Sequence, residues 1–140
     1  MVQLLLAHGA DVHHVNNDGF DALFIASCNG HVEIVNILLR HGANVHHVEN
    51  KGFDALYAAS TKGHLEIVQL LLAHGADVNH VNNDGFEALI IASFNGHVEI
   101  VKLLLTHGAT GINRAHAVAI KTGHTTIVNI LAPLVSSFSS

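Results

Sequence analysis

Fourteen histidines in a chain of 140 residues are the groups best placed to do chemistry, because imidazole titrates near pH 6.5 and ligates many transition metals. Protonating all fourteen would carry the formal net charge from −5 to as much as +9, which would strengthen binding to an acidic partner on acidification. His13-His14 and His46-His47 are the best candidates for holding a metal ion. Adjacent residues in an extended segment point to opposite faces, however, and a closed zinc site takes four ligands. No specific metal site and no cofactor are expected. Cys28 beside a histidine would suggest a thiol nucleophile, but its counterparts at the same place in the pattern are Thr61 and Phe94. No oriented triad or carboxylate pair accompanies it, so the chain reads as a non-enzyme.

The elements that position these residues follow from composition and repetition. The chain is 49% hydrophobic and 12% charged, with a mean hydropathy of +0.39, which is too apolar for disorder. Gly, His, Asn and Asp break every apolar run well short of a membrane span. The single cysteine and the absence of a signal-peptide layout at Met1-Val2-Gln3 point to an intracellular setting, cytoplasmic or nuclear. Six Lys and Arg against eleven Asp and Glu leave no basic stripe for phosphates. Neither nucleic acid nor membrane is an expected partner.

A period of 33 residues runs through the chain, and such a period decides the architecture. His8-Gly9-Ala10 returns as His41-Gly42-Ala43, His74-Gly75-Ala76 and His107-Gly108-Ala109. Gly30-His31, Gly63-His64 and Gly96-His97 each precede an apolar-Glu-Ile-Val phrase, and Gly123-His124 follows after a gap of 27. Within one unit, Asp21 is a good N-cap for a first helix over Ala22 to Cys28, closed by Gly30. Val32 to Arg40 form a broadly apolar second helix closed by Gly42. Ala43 to Phe53 form a hairpin-like finger with short strands, turning at Lys51-Gly52 as at Asp18-Gly19 and Asp84-Gly85.

Gly30-His31-Val32-Glu33-Ile34-Val35, Leu38-Leu39, His41-Gly42-Ala43-Asn44-Val45 and Gly75-Ala76-Asp77-Val78-Asn79 closely resemble the ankyrin repeat family. The resemblance covers the chain to about Val135 and implies an all-α solenoid of finger plus two antiparallel helices per unit. Where the family opens its first helix with Thr-Pro-Leu-His, this chain has Asp21-Ala22-Leu23-Phe24, Asp54-Ala55-Leu56-Tyr57 and Glu87-Ala88-Leu89-Ile90. Glu87 is expected to cap less well than Asp. The resemblance also implies that His31, His64, His97 and His124 satisfy backbone groups between units, and that Asn79 matches the position modified by asparaginyl hydroxylases, where the other fingers carry His13 and His46. His8, His41, His74 and His107 are expected at exposed helix ends.

A single domain over 1–135 is expected: a partial repeat over 1–15, repeats over 16–48, 49–81 and 82–113, and a reduced cap over 114–135, before a polar tail over 136–140. Val2 aligns with Val35, so the chain opens inside a second helix whose apolar Val2, Leu4, Leu5 and Leu6 lack their partner helix. Truncation of a longer array accounts for this; self-association through that face is the competing reading. At the other end, Thr110 to Arg114 are too few for a full finger. Arg114 to Lys121 and Thr125 to Ala132 read as the last helix pair, with Pro133 opposing continuation.

Residues identical between units read as scaffold, and those that vary are free to serve a partner. Asn16 to Ala43 and Asn82 to Ala109 differ only at Asp21/Glu87, Phe24/Ile90, Cys28/Phe94, Asn36/Lys102, Ile37/Leu103 and Arg40/Thr106. Several of these fall on the first helix, which in the resembling family faces the concave binding groove. The candidate partner-binding set is therefore Asp18, Lys51 and Asp84 at the finger tips, with Cys28, Tyr57, Thr61 and Phe94 on the helices. Asn29, Lys62 and Asn95 lie beside them, in a groove expected to be polar with a central basic spot. Phe20, Phe53 and Phe86 form an aromatic row for which both mutual packing and recognition are open. The function this implies is a non-catalytic protein-interaction scaffold. The alternatives are a spacer in a longer repeat array or a histidine-based metal or pH sensor.

Overall fold

The computed structural model describes residues 13–135. The apolar run Val2 to Leu6, His8 and the polar tail lie outside the described residues. Among those described, the chain forms four helix pairs in sequence: α1 Ala22–Asn29 with α2 Val32–Arg40, α3 Ala55–Lys62 with α4 Leu65–Ala73, α5 Ala88–Asn95 with α6 Val98–Thr106, and α7 Ile112–Thr122 with α8 Thr125–Leu131. A short 3₁₀ turn over Ala132–Leu134 follows, with Pro133 near its start. The first helix is one residue longer than expected, and α7 starts two residues before Arg114. Among the described residues the fingers hold only the isolated antiparallel bridges Val48 to Asp54 and Val81 to Glu87.

Local chemistry sets the helix limits. The carboxylates of Asp21 and Asp54 accept from the Phe24 and Tyr57 amides at 2.8 Å, satisfying one of the free donors that every helix N-terminus leaves. Glu87, one methylene longer, occupies the same place before α5 and makes no such bond. Gly30, Gly63 and Gly96 close their helices in the left-handed conformation, at φ 81, 84 and 80°.

Each helix pair stacks on the next through one continuous core. Leu23, Leu56 and Leu89 from the first helices meet Val35, Val68 and Val101 from the second, all almost fully buried. Ile127 and Leu131 of α8 extend the core, both at 0% exposure, so the shortened last unit still covers the face of its neighbour. The first helices approach one another more closely than the second helices do. Their buried faces carry the small residues Ala26, Ala59, Ala92, Ala115 and Ala119, whereas the second helices interpose Leu and Ile. A stack with thin first helices and thick second helices bends toward the first.

Candidate protein-interaction groove

Between units, side chains bind backbone carbonyls of the unit before. The rings of His64, His97 and His124 donate through Nε2 to the carbonyls of Cys28, Thr61 and Phe94 at 3.2, 3.1 and 2.9 Å. These are the last-turn carbonyls of α1, α3 and α5, which have no acceptor role within their own helix. Asn95 Nδ2 adds a second donor to the Thr61 carbonyl at 3.1 Å. The finger turns are held in the same manner. His47 and His80 donate through Nε2 to the carbonyls of Gly19 and Gly52 at 2.6 and 2.8 Å, and Arg114 donates to that of Gly85 at 2.7 Å.

The histidines are thereby largely accounted for. His41, His74 and His107 turn Nδ1 back onto the Ile37, Leu70 and Leu103 carbonyls at 2.9 to 3.0 Å, at the exposed helix ends where they were expected. His47 faces Gly19 while its neighbour His46 is exposed, the two separated by a turn in which their amides bind Asn44 rather than by the extended segment expected. Among the described residues, no group of three or more His, Cys, Asp and Glu is placed to hold a metal ion. Asn79 is engaged with the following unit: Nδ2 donates to the Gly108 carbonyl at 3.2 Å, and Oδ1 accepts from the Thr110 amide at 2.9 Å.

The finger turns owe their shape to residues that sequence reasoning passed over. Asn16, Glu49 and Asn82 each direct a side-chain oxygen at two amides of their own turn; Glu49 Oε1 accepts from Lys51 and Phe53 at 2.7 and 3.0 Å. Successive turns are joined by Asn50 and Asn83, whose backbone amides reach the Asp18 and Lys51 carbonyls at 3.3 and 3.0 Å. Asp18, Lys51 and Asp84 are left exposed at the tips.

The aromatic row packs within each unit. Phe20 stacks on Phe24 with centroids 4.9 Å apart and planes 2° from parallel. Phe53 meets Tyr57 at 4.8 Å. In the third unit the helix residue is Ile90, and the Arg114 guanidinium instead sits 5.4 Å from the centre of the Phe86 ring, within cation–π range. Burial, with help from nearby Asp84, pushes the Tyr57 hydroxyl above its ordinary pKa. Burial likewise raises the Glu87 carboxyl, against the opposing pull of Arg114.

Of the expected partner-binding residues, Tyr57, Phe86 and Phe94 come together. With Ile90, Ile91, Val118, Lys121 and Thr122 they line a cleft of about 570 Å³ across α3, α5 and α7, within the roughly 300–1,000 Å³ usual for ligand sites. Phe94 is 53% exposed and Phe86 39%. The remaining candidates fall outside the cleft. Cys28 is half-buried; Asn29 and Lys62 are exposed. Thr61 Oγ1 turns back to the Tyr57 carbonyl at 2.8 Å, and the Asn95 amide is spent on the stack. The cleft is apolar with one cation at its edge, and the polar finger-tip and helix-end residues expected in the groove lie outside its lining. Its apolar character comes from Ile90, marked in the sequence only as a varying position, and from Ile91 and Val118, which nothing in the sequence singles out. Lys121 was legible: it stands two residues before Gly123, as Phe94 stands two before Gly96.

A stack of helix pairs and fingers, each covering the next and presenting a first-helix face, defines a repeat solenoid. The family model described as ankyrin repeats matches in three copies, over residues 1–82, 43–115 and 75–137. The chain belongs to the ankyrin repeat family, whose members are generally protein-interaction modules and typically not enzymes. No curated protein matches it. No described helix is long and apolar enough to cross a membrane.

Proposed function

We propose that this chain is a non-catalytic scaffold that engages a protein partner through the groove formed by its finger tips and first helices, over the region bounded by Lys51, Tyr57, Phe86 and Phe94. The observation that carries the reading is Phe94. A phenylalanine 53% exposed on the first-helix face, in a unit otherwise almost identical to the one containing Cys28, has no structural duty that its counterparts Cys28 and Thr61 do not meet without a ring. Large aromatic side chains at the edge of a preformed apolar cleft are the usual centres of binding energy.

The experiment places a photo-crosslinking side chain at position 94, on the groove, or at position 99 on the opposite second-helix face. Adducts formed from position 94 and abolished by Lys51→Glu with Lys62→Glu support the groove. A partner that crosslinks equally from both positions, or survives the double substitution, favours the reading of a spacer within a longer array.

A further inference from the structure

Resting on the groove reading, we propose that the cleft between α3, α5 and α7 takes a large apolar side chain from an acidic peptide segment, with an Asp or Glu of that segment paired to Lys121. The argument begins with where the charge lies. The chain carries a formal net charge of −5, yet the only charged residue lining the cleft is Lys121. Four of the six basic residues stand around this region. Lys62 ends the helix that contributes Tyr57, and Lys121 lies in the last turn of the helix that contributes Val118. Arg114 covers the Phe86 ring from outside, and Lys51 is at a finger tip. The exposed second-helix carboxylates Glu33, Glu66 and Glu99 are on the other side of each pair.

The cleft interior points to the apolar half of the ligand. Ile91, Phe94 and Val118 offer no hydrogen-bonding side-chain atom, and the lining is closed at one end by Thr122, whose hydroxyl is already committed to the Val118 carbonyl at 2.8 Å. A polar side chain packed against Ile91, Phe94 and Val118 would lose water and gain no partner there. An aromatic or long aliphatic one gains by burial, and a carboxylate beside it meets Lys121 at the rim. Asp84, which acts on Tyr57, sits at the finger end of the cleft and would repel the same carboxylate there. The two charges therefore orient the segment, with its acidic end toward the helix C-termini.

The test is selection from a phage-displayed library of random peptides against the full chain, followed by binding measurements on synthetic copies of the selected sequences. Selected peptides are expected to share a Phe, Trp, Leu or Met within two positions of an Asp or Glu. Their affinity is expected to fall about tenfold or more with Phe94→Ser and with Lys121→Glu. A peptide in which the acidic residue is replaced by lysine should regain affinity for Lys121→Glu, a charge reversal that a merely unfolded variant cannot produce. Peptides that lose binding with Phe94→Ser but carry no acidic residue, or that ignore Lys121→Glu, overturn this proposal and leave the groove reading standing. Peptides indifferent to both substitutions overturn the two together. Failure of any peptide to enrich overturns the peptide proposal alone, since the crosslinking from position 94 tests the groove independently.

Discussion

His80 Nε2 lies 2.8 Å from the Gly52 carbonyl oxygen, so a side chain from one finger holds the turn of the finger before it. The same bond recurs from His47 to Gly19 and, with a change of residue type, from Arg114 to Gly85. His80→Ala should cost about 1–2 kcal/mol, the range for losing a hydrogen bond and leaving a carbonyl short of its partner. Arg114 shows that a guanidinium can fill the role, so His80→Arg should recover part of the loss. Equilibrium denaturation of the two variants checks the order; equal losses would remove the bond from the account.

The closing glycines make a paired prediction. Gly63 and Gly75 both have positive φ, 84 and 90°. A Cβ on Gly63 would stand 2.8 Å from Cε1 of His97, whereas one on Gly75 would meet nothing within 4 Å. Gly75→Ala should therefore cost only the left-handed backbone penalty of about 1–2 kcal/mol. Gly63→Ala should cost more, because the His97 ring must also leave the Thr61 carbonyl. Similar thermal midpoints for the two variants would contradict the packing described.

Ser27, Ser60 and Ser93 are fully buried at equivalent places in the first helices, and their hydroxyls have no hydrogen-bond partner. An unpaired buried hydroxyl costs about 1–3 kcal/mol, and alanine is the better helix former. Ser60→Ala should raise stability by about 1 kcal/mol, read as a higher urea midpoint at unchanged slope. A fall in the midpoint would mean that the hydroxyl holds a group in place.

Glu87 predicts a pH dependence. Burial raises its folded pKa above the unfolded value, so the stability it contributes is present at low pH and lost as pH rises through the folded pKa. Glu87→Gln removes that loss. The thermal midpoint of the variant relative to the parent chain should accordingly be higher at pH 7.5 than at pH 4.5. A difference independent of pH would place the carboxyl in contact with water.

The repeat, the helix pairs and their caps were legible because each depends on local residue types recurring every 33 positions. Asp21 and Asp54 cap as short carboxylates should, and Glu87 fails for want of the right length. The cleft was half legible. Phe94 and Lys121 vary at one fixed distance before a closing glycine, a comparison available from the chain itself. Ile90 varied too, against Phe24, but Ile91 and Val118 carried no such sign, because an apolar side chain reads the same whether it faces a core or a groove. Glu49 was missed because its bonds, to Lys51 and Phe53, belong to a turn whose amides are not evident from side-chain type. The exchange of histidine for arginine at Arg114 was hidden by the shortened spacing that made it necessary.

Every carbonyl pinned by His64, His97, His124 or Arg114 belongs to the unit before it in the chain. Mechanical load on the C-terminal end would consequently peel α7 and α8 away first, releasing Phe94 and Gly85 while the His97 joint stays closed. A pulled chain would give way in steps, one joint at a time.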